Sequence, residues 1–282
     1  MELGLSDKNV LITGASGGIG RALASAFGGE GCGLVLHAHR GGEGLRTWLA
    51  EQAFAARTEV LEADLREPAA LDEGLARARE RLGRIDIAVA NAGLWPVDDV
   101  PIHRMDPDRL TNTVGVNLLG ATYTAAAFLR GLASAGPRPD GHGASLVFIG
   151  STAGAVGESG HGDYALAKAG LVGLAQTLKH EIVDLDPYGR VNVVQPGWTV
   201  THMVRPALSV PGVVSRVVAT MPLRQLARAA DIARSVLCLS SPLASRHTSG
   251  QVLTVAGGME GRLRWTPEQV DEDAVRARLA DD

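Results

Sequence analysis

The chain has 282 residues, of which 45% are hydrophobic and 21% are charged, which is ordinary for a soluble globular protein and sufficient for one large α/β domain. Its formal net charge of −4 gives no reason to expect a nucleic acid partner, and no apolar stretch reaches the ~20 residues of a membrane span. The N-terminus does not resemble a signal peptide, and Cys32 and Cys238 fit no zinc spacing, so we expect a cytoplasmic protein without a metal site and with both thiols buried and free.

Apolar runs of strand length alternate with longer segments of helical period. Strands are predicted at Asn9–Thr13, Gly33–His37, Thr58–Glu62, Ile85–Asn91, Ser145–Ser151, Arg190–Gln195 and Gln251–Val255. Helices are predicted at Gly18–Phe27, Glu43–Ala56, Pro68–Leu82, Asp163–Leu185 and Ala229–Leu239, with Met105–Leu132 mostly helical. Continuously apolar strands separated by helices indicate a parallel sheet covered on both faces. Right-handed crossovers then predict a single-domain α/β fold with a doubly wound, seven-stranded, Rossmann-like sheet.

Two segments interrupt this alternation. Ser134–Gly143 is a polar, Pro/Gly-rich loop before the fifth strand. The chain after Gly258 leaves the pattern, so we expect a domain at residues 1–260 and a C-terminal extension at residues 261–282. The extension is expected to hold one short helix, with Thr266 as N-cap and Pro267 in the first turn, running through Val270–Leu279.

A glycine run follows the first strand and opens the first helix. Gly14, Gly18 and Gly20 have the spacing G-x-x-x-G-x-G. A helix N-terminus favours a phosphate through its free N–H groups and its dipole, and glycines let the backbone approach closely. The same spacing without flanking elements would indicate only a surface turn. With a strand before it and a helix after it, the run predicts a dinucleotide phosphate site.

The end of the second strand bears on the choice of dinucleotide. An acidic side chain there binds the 2′-hydroxyl of NAD, whereas a basic one accepts the 2′-phosphate of NADP. His39 and Arg40 follow the strand and no carboxylate does, which favours NADP over NAD unless Arg40 simply faces solvent. Asp64, after the third strand, is placed to accept a hydrogen bond from the adenine amino group, to cap the helix at Pro68, or to do both.

A second group of residues indicates proton transfer. Tyr164 and Lys168 are four residues apart on a predicted helix and therefore share a face. A phenol with a pKa near ~10 is a poor acid–base catalyst at neutral pH, and a nearby ammonium lowers that pKa. Ser151, at the end of the fifth strand, can donate a hydrogen bond to a substrate oxygen near Tyr164. Such a Tyr/Lys pair also occurs by chance, but the preceding strand and serine strengthen the interpretation.

These motifs together make the chain resemble the short-chain dehydrogenase/reductase family over residues 5–259. The matching segments are Thr13–Gly20, Asp64-Leu65, Asn91-Ala92-Gly93, Asn117, Ser151, Tyr164 to Lys168, Pro196-Gly197 with Thr201, and Thr248 to Gln251 leading to Gly257-Gly258. The stretches GSTAG, DYALAKAG and VNVVQPG look most like the 3-oxoacyl-carrier-protein reductases within it. The chain differs from common family patterns at Gly17, where NADP-preferring members often have Arg, and at Ala256, where Asp is common.

The resemblance implies a catalytic tetrad of Asn117, Ser151, Tyr164 and Lys168. Tyr164 would be the general acid in reduction and the general base in oxidation, Ser151 would polarise the carbonyl, and Lys168 would lower the tyrosine pKa and hold the ribose. Asn117 would hold a water that relays protons to Lys168; the residues alone suggest only a local helix disruption there. The expected cofactor contacts are Gly14, Ser16, Gly18, Ile19, Gly20, His39, Arg40, Asp64, Leu65, Asn91, Ala92, Gly93, Tyr164, Lys168, Pro196, Gly197, Thr199 and Thr201.

Substrate contacts are expected from the loops above the strand ends, at Leu94-Trp95-Pro96, Val156–His161 and Trp198–Leu223. We select Trp95, His161, Trp198 and His202, although either tryptophan could simply pack and His161 could be a surface residue. The stretch Trp198–Leu223 resembles a mobile lid with an apolar face. The substrate is expected to be a small ketone, secondary alcohol or acyl thioester, with sugars and polyols equally open. The resemblance implies a homotetramer or homodimer, whose contacts could include the C-terminal extension.

The leading functional prediction is an NADP-dependent reductase of a ketone, with NAD and the reverse oxidation both possible. A cofactor-sensing regulator without catalysis is an alternative on the same fold. The intact Tyr164/Lys168 pair argues against it, because a sensor needs neither residue. An epimerase or dehydratase is a third possibility, but those enzymes usually have a longer C-terminal substrate domain.

Overall fold

The structure is a computed structural model that describes residues 2–265 and 267–278. Its strands are β1 (Asn9–Ile12), β2 (Gly33–Ala38), β3 (Thr58–Glu62), β4 (Ile87–Ala90), β5 (Ser145–Ile149), β6 (Arg190–Pro196), β7 (Thr199–Val200), β8 (Ala227–Arg228) and β9 (Val252–Val255). Its α-helices are α1 (Gly18–Gly29), α2 (Gly42–Ala50), α3 (Pro68–Leu82), α4 (Pro107–Val114), α5 (Gly120–Ala135), α6 (Thr152–Val156), α7 (Gly162–Leu185), α8 (Arg205–Leu208), α9 (Val213–Val218), α10 (Ala229–Ser240) and α11 (Glu272–Ala277).

Seven strands form one parallel sheet in the order β3-β2-β1-β4-β5-β6-β9. In the centre, Leu11 of β1 lies opposite Val35 of β2 and Ala88 of β4. The chain order reverses beside β1, which opens a crevice at the carboxyl ends of β1 and β4. The doubly wound, seven-stranded sheet expected from the sequence is therefore confirmed.

Helices cover both faces of this sheet, which explains why its central strands are mainly apolar on both sides. On one face, Phe128 of α5 and Leu171 of α7 pack in a core that also contains Leu11. On the other face, Phe27 of α1 and Val236 of α10 pack against the remaining strand residues. Because both faces are buried, these strands lack the alternation of polar and apolar residues that a half-exposed strand would show. The packing also fixes the positions of the strand ends that carry the candidate site.

Two predicted helices differ from the observed ones. The helix expected over Glu43–Ala56 ends at Ala50, and a 3₁₀ turn at Ala55–Arg57 precedes β3. The segment Met105–Leu132 is helical, as expected, but a π-helical turn at Gly115–Leu119 separates α4 from α5. Single π turns interrupt the regular hydrogen-bond ladder and are frequent at functional sites.

The segment Trp198–Leu223 carries β7, α8 and α9 rather than one continuous element. Strand β7 pairs with β8 in a small second sheet that the sequence did not indicate. The apolar face expected for this segment is present, because Val217 and Met221 pack with Ala256 and Met259. Its mobility stays a prediction.

The C-terminal extension holds less helix than expected. A 3₁₀ turn at Pro267–Gln269 is followed by α11, whose N-cap Asp271 accepts a hydrogen bond of 2.9 Å from the backbone N–H of Ala274. Asp271 therefore begins the helix, because its carboxylate satisfies an otherwise free N–H group. The predicted N-cap Thr266 and the predicted end Leu279 lie outside the described residues.

The two cysteines differ in environment. Cys32 is buried, and burial raises the pKa of its thiol to about 12, so it behaves as an apolar core residue. The expected burial of Cys238 is wrong: it is exposed on α10, whose inward face is formed by neighbours such as Val236 and Leu239. Helical periodicity turns position 238 away from the sheet. Within the described part of the chain, no helix is both long and apolar enough to span a bilayer, and no group of three or more His, Cys, Asp or Glu side chains could hold a metal ion.

Candidate active site

The glycine turn between β1 and α1 has space for glycine only. Gly14 has a φ of +65°, and a Cβ there would lie 2.7 Å from the Cα of Ala92. A Cβ on Gly18 would lie 2.9 Å from the Cβ of Thr201, and one on Gly20 would overlap the carbonyl oxygen of Gly14. The turn therefore packs tightly against the β4 end and against the chain after β7, while its backbone stays open to the crevice.

The N-terminus of α1 is suited to an anion. Its N-cap is Gly17, so the first turn receives no side-chain cap, and no acidic residue lies in that turn. The free N–H groups and the positive end of the helix dipole therefore face the crevice uncompensated by any described side chain. A dinucleotide pyrophosphate fits this arrangement.

A cleft of about 720 Å³ runs along the carboxyl ends of β1, β2 and β4. The predicted cofactor residues that line it are Gly14, Ser16, Gly18, Ile19, Gly20, His39, Arg40, Asp64, Leu65, Asn91, Ala92, Gly93 and Thr201. Tyr164, Gly197 and Thr199 instead line an adjoining smaller cavity, which shares Met203 with the cleft. Lys168 and Pro196 are buried and line neither.

The adenosine end of the cleft is basic. His39 and Arg40 are exposed there, and no carboxylate ends β2. Arg66, which the sequence analysis did not identify, also lines the cleft, and its Nε lies 3.0 Å from both carboxylate oxygens of Asp64. Hydrogen bonding from Arg66 is the main cause that lowers the pKa of Asp64 to about 2. Asp64 is therefore ionised and engaged by Arg66.

The suggested helix cap at Asp64 is not present. Asp64 accepts a hydrogen bond of 2.9 Å from the backbone N–H of Arg66, which closes a turn before α3. The N-cap of α3 is Glu67, and its side chain makes no capping bond with the described residues. Pro68 has no N–H group to satisfy, so the helix start needs less capping there.

Ser151 and Tyr164 meet at the wall of the smaller cavity. Ser151 follows β5, caps α6 by accepting a hydrogen bond of 3.1 Å from the N–H of Ala153, and lines the same cavity as the Tyr164 phenol, whose pKa its hydroxyl lowers. Burial raises the pKa of Tyr164 to about 12, the hydrogen bond with Ser151 opposes this rise, and the Glu158 charge adds to it. Without a further positive charge, this tyrosine is protonated at neutral pH.

Lys168 lies one helical turn after Tyr164, on the same face of α7, as the spacing predicts. Its Nζ lies 5.8 Å from the centroid of the Tyr164 ring and 2.8 Å from the carbonyl oxygen of Ile149. Burial lowers the pKa of Lys168 to about 8. The pKa of Tyr164 is set mainly by burial, which raises it, and the groups that oppose this rise are Ser151 and Arg262 rather than Lys168.

Asn117 lies in the π turn, fully buried. Its side-chain amide forms two hydrogen bonds with the backbone of Leu94, each 2.9 Å long. The amide oxygen accepts from the Leu94 N–H, and the amide nitrogen donates to the Leu94 carbonyl oxygen. A Cβ on Gly93 would lie 2.5 Å from Oδ1 of Asn117 and 3.4 Å from Nζ of Lys168. The structure therefore places Asn117 and Lys168 beside the same glycine, at the junction of cleft and cavity.

The smaller cavity has a volume of about 100 Å³. Its lining comprises Trp95, Ser151, Thr152, Glu158, Tyr164, Gly197, Trp198, Thr199, Met203, Val204 and Arg262. The predicted substrate residues Trp95 and Trp198 both belong to it, with their rings edge to face and centroids 6.3 Å apart. The cavity is therefore aromatic on one side and carries Ser151 and Tyr164 on another.

The two histidines selected for the substrate lie elsewhere. His161 is 1% exposed, so its interpretation as a surface residue is wrong. Its ring stacks on Trp95 at 4.9 Å between centroids, and Nε2 lies 2.8 Å from the carbonyl oxygen of Pro96. His161 thus supports Trp95 from behind. His202 lines the larger cleft, where we expected the cofactor, rather than the smaller cavity.

Glu158 and Arg262 are the charged residues of the smaller cavity that were not singled out in the sequence. Glu158 belongs to the loop before α7, within the segment Val156–His161 from which substrate contacts were expected, although it was not itself selected. Arg262 lies in the C-terminal extension, beyond the segment that carries the resemblance, so no motif could identify it. The fold brings it back over the carboxyl end of β5, where Thr152 begins α6.

Comparisons with known proteins point the same way as this geometry. A sequence model of the family described as enoyl-(acyl carrier protein) reductase matches residues 14–260. The L-rhamnose 1-dehydrogenase (NAD(P)(+)) of Azotobacter vinelandii is 33% identical over 261 residues, covering 90% of this chain and 97% of that protein. The 3-oxoacyl-[acyl-carrier-protein] reductase of Escherichia coli is 32% identical over 254 residues, covering 89% of this chain and 97% of that protein.

Solved structures agree. A short-chain dehydrogenase/reductase from Brucella melitensis, described as a glucose/ribitol dehydrogenase, superposes with a TM-score of 0.82 and 30% identity, covering 92% of this chain and 99% of that one. A 3-oxoacyl-[acyl-carrier protein] reductase from Brucella melitensis ATCC 23457 gives a TM-score of 0.77 and 30% identity, covering 92% and 94%.

Proposed function

The chain belongs to the short-chain dehydrogenase/reductase family and is an NAD(P)-dependent oxidoreductase, and on that basis we propose that Tyr164, Ser151, Lys168 and Asn117 form its catalytic centre. The substrate is a ketone or the corresponding secondary alcohol. One observation carries the proposal: Ser151 and Tyr164 together line a cavity that adjoins a glycine-cradled cleft. A regulator without catalysis gains no support from the comparisons, whose reported relatives are named as dehydrogenases or reductases.

A nicotinamide held in the glycine-lined cleft would supply hydride transfer, to the carbonyl carbon in reduction and from the alcohol carbon in oxidation. In reduction, Ser151 donates a hydrogen bond to the carbonyl oxygen, and the Tyr164 O–H gives its proton to that oxygen as the C–H bond forms. In oxidation, the Tyr164 phenolate takes the hydroxyl proton. Ser151 therefore orients the oxygen and Tyr164 carries the proton in both directions.

Lys168 supports the phenolate when it is charged. At neutral pH a group with a pKa of about 8 is mostly protonated, so its ammonium favours the deprotonated form of Tyr164. The Lys168 amine donates a hydrogen bond to the carbonyl oxygen of Ile149. This bond holds the amine beside Gly93, which lines the cleft where the nicotinamide ribose is expected. Because the Asn117 amide is occupied by Leu94, a proton relay from Asn117 has to use the backbone of the π turn.

We propose that the cofactor is NADP, with NAD as the alternative. Arg40 at the end of β2 supplies positive charge, and His39 beside it supplies a ring nitrogen. The carboxylate of Asp64 is paired with Arg66, so a 2′-phosphate meets no free carboxylate among the described cleft residues. The remaining predicted contacts follow the cleft and the β6 end, including Pro196, Gly197, Thr199 and Thr201.

Arg40→Ala is expected to raise KM for NADPH roughly tenfold, a loss of about 1.4 kcal/mol, and to leave KM for NADH within about twofold. The reason is that the guanidinium binds only the extra phosphate. Initial rates measured with each cofactor give the change in KM for NADPH and the change in KM for NADH separately. Arg77→Ala, an exposed arginine on α3, is the charge-matched control. Equal loss with both cofactors would show that Arg40 does not read the 2′-phosphate.

We also propose a homotetramer or homodimer. Leu166 on α7 is 58% exposed, and Val252 and Leu253 on the edge strand β9 are 38% and 40% exposed. Burying such side chains against a second copy is favourable, because apolar area leaves water. Light scattering of the purified protein is expected to give two or four times the chain mass of 29.4 kDa. A monomer at micromolar concentration would reject this assembly.

The function itself is tested by NADPH and NADH consumption with a panel of ketones, sugars and acetoacetyl thioesters, and by the reverse reaction with alcohols. Turnover with at least one substrate is expected. Tight cofactor binding without turnover on the whole panel would instead favour the regulator.

A further inference from the structure

Arg262 reaches the substrate cavity from a part of the chain that the family match does not include. The match ends at residue 260. The side chain of Arg262 nonetheless lines the same cavity as Tyr164 and Trp95. Its charge, together with that of Glu158, acts on the Tyr164 phenol, with Arg262 lowering the tyrosine pKa and Glu158 raising it. The C-terminal extension therefore contributes a charged group beside the proposed reacting atoms.

The guanidinium of Arg262 is poorly satisfied by the protein. Its Nη2 lies 3.5 Å from Oγ1 of Thr152 and 3.7 Å from Oε1 of Glu158, and its Nη1 lies 3.7 Å from Sδ of Met259. Its Nε is buried and has no hydrogen-bond partner among residues 2–265 and 267–278. Guanidinium donors prefer oxygen acceptors at 2.7–2.9 Å, so this group has donor capacity for a ligand.

Glu158 provides the complementary acceptor. Its side chain is 17% exposed, and the ion pair with Arg262 is too long for a hydrogen bond. A hydroxyl placed between the two can accept from the guanidinium and donate to the carboxylate at once. Trp95 and Trp198 line the same cavity, and aromatic rings suit the C–H face of a ring.

Building on the proposed function, we propose that Glu158 and Arg262 recognise substrate hydroxyls, so that the substrate is a small neutral polyhydroxylated compound, a sugar or a polyol, oxidised or reduced at one carbon. The C-terminal extension then determines specificity. Arg262 and Glu158 touch the substrate away from the reacting carbon and do not transfer its proton.

The charges argue against the other substrate classes. An alkyl chain of an acyl thioester would cover the Glu158/Arg262 pair without offering it a hydrogen bond, and desolvating an unsatisfied charge is unfavourable. A carboxylate would gain from Arg262 but would be repelled by Glu158 at a similar distance. A neutral diol is the chemistry that satisfies both groups together.

The test compares substrates that differ by one hydroxyl. Rates of oxidation of cyclohexanol, cyclohexane-1,2-diol, neutral aldoses and a sugar acid, and of reduction of an acetoacetyl thioester, are measured with the wild-type protein and with Arg262→Ala, Arg262→Lys and Glu158→Gln. The wild type is expected to prefer the diol or an aldose at least tenfold in kcat/KM. Arg262→Ala and Glu158→Gln are each expected to reduce, at least tenfold, the ratio of kcat/KM for the diol or aldose to kcat/KM for cyclohexanol, mainly through the KM of the hydroxylated substrate.

Arg264→Ala is the matched control, because Arg264 is a nearby exposed arginine of the same extension that lies over the Trp265 ring. Arg264→Ala is expected to leave kcat/KM unchanged for both cyclohexanol and the diol. Arg262→Lys is expected to restore part of the diol preference, since it keeps the charge but loses the planar fork.

Three outcomes would overturn the inference. Equal losses on cyclohexanol and on the diol would make Arg262 a structural residue. Wild-type preference for acetoacetyl thioester, unchanged in Arg262→Ala, would assign an acyl substrate. Preference for a sugar acid that rises in Glu158→Gln would assign a carboxylate ligand. Each leaves the proposed oxidoreductase centre intact, whereas absence of any turnover by the wild type would reject that centre instead.

Discussion

Tyr164→Phe is expected to lower kcat/KM by about 10²–10⁴-fold in both reaction directions while leaving cofactor affinity unchanged. The substitution removes the O–H that gives or takes the substrate proton and keeps the ring that packs between Ser151 and Lys168. Because the cleft for the dinucleotide is lined by other residues, the dissociation constant of NADPH, followed by its fluorescence, measures binding separately from chemistry. Steady-state rates measure the catalytic loss.

Tyr188→Phe is the control, since Tyr188 is 64% exposed and far from the site in sequence. It is expected to retain wild-type rates. A Tyr164→Phe variant that keeps more than about a tenth of wild-type activity would contradict the assignment of Tyr164 as the proton carrier.

The pH dependence gives an independent readout of the same group. With a pKa of about 12, Tyr164 is protonated at neutral pH in the cofactor-free protein. Oxidation needs the phenolate, whose fraction grows with pH at every pH below that pKa, so kcat/KM for an alcohol is expected to rise with pH up to about 8, where Lys168 begins to lose its charge. Reduction needs the phenol and lacks that rise. An alcohol oxidation rate that falls over this range would contradict the proposed base.

Asp163→Ala is expected to lower the free energy of unfolding by about 3–5 kcal/mol. Asp163 is fully buried at the start of α7. Its Oδ2 accepts a hydrogen bond of 3.0 Å from Nε of Arg109 and one of 2.9 Å from Oγ1 of Thr113. These bonds join α4 to the helix that begins just before Tyr164. Removing the carboxylate leaves the largely buried Arg109 without its counter-charge.

Denaturant unfolding at pH 7 measures this loss. Asp184→Ala, an exposed position on the same helix, is expected to stay within about 0.5 kcal/mol of wild type. A loss below about 1 kcal/mol for Asp163→Ala would show that the buried ion pair contributes little to stability.

The same loss has a defined pH dependence. Burial alone would raise the pKa of Asp163, but hydrogen bonds from Arg109 and Thr113 outweigh it, so the pKa lies below its ordinary value. A carboxyl with a depressed folded-state pKa contributes stability above its unfolded pKa of about 3.9 and loses that contribution as the pH falls through the folded value. The gap between wild type and Asp163→Ala is therefore expected to narrow below about pH 4.

Local spacing in the sequence was enough for the sheet and for part of the site. Apolar strands separated by helices can form few other arrangements than a covered parallel sheet. Gly14, Gly18 and Gly20 imply a phosphate turn because only glycine fits such a backbone, and Tyr164 and Lys168 share a face because a helix repeats every 3.6 residues. Both relations are set by neighbours within a few residues.

The tertiary structure decided everything that depends on distant contacts. Arg66 neutralises Asp64, His161 lies behind Trp95 instead of in the cavity, and Arg262 returns from the C-terminal extension to meet Glu158. No periodicity links such pairs, because their proximity follows from how strands and helices pack and not from their spacing along the chain. Burial likewise raises the Tyr164 pKa, which a sequence cannot state, since desolvation is a property of the folded surroundings.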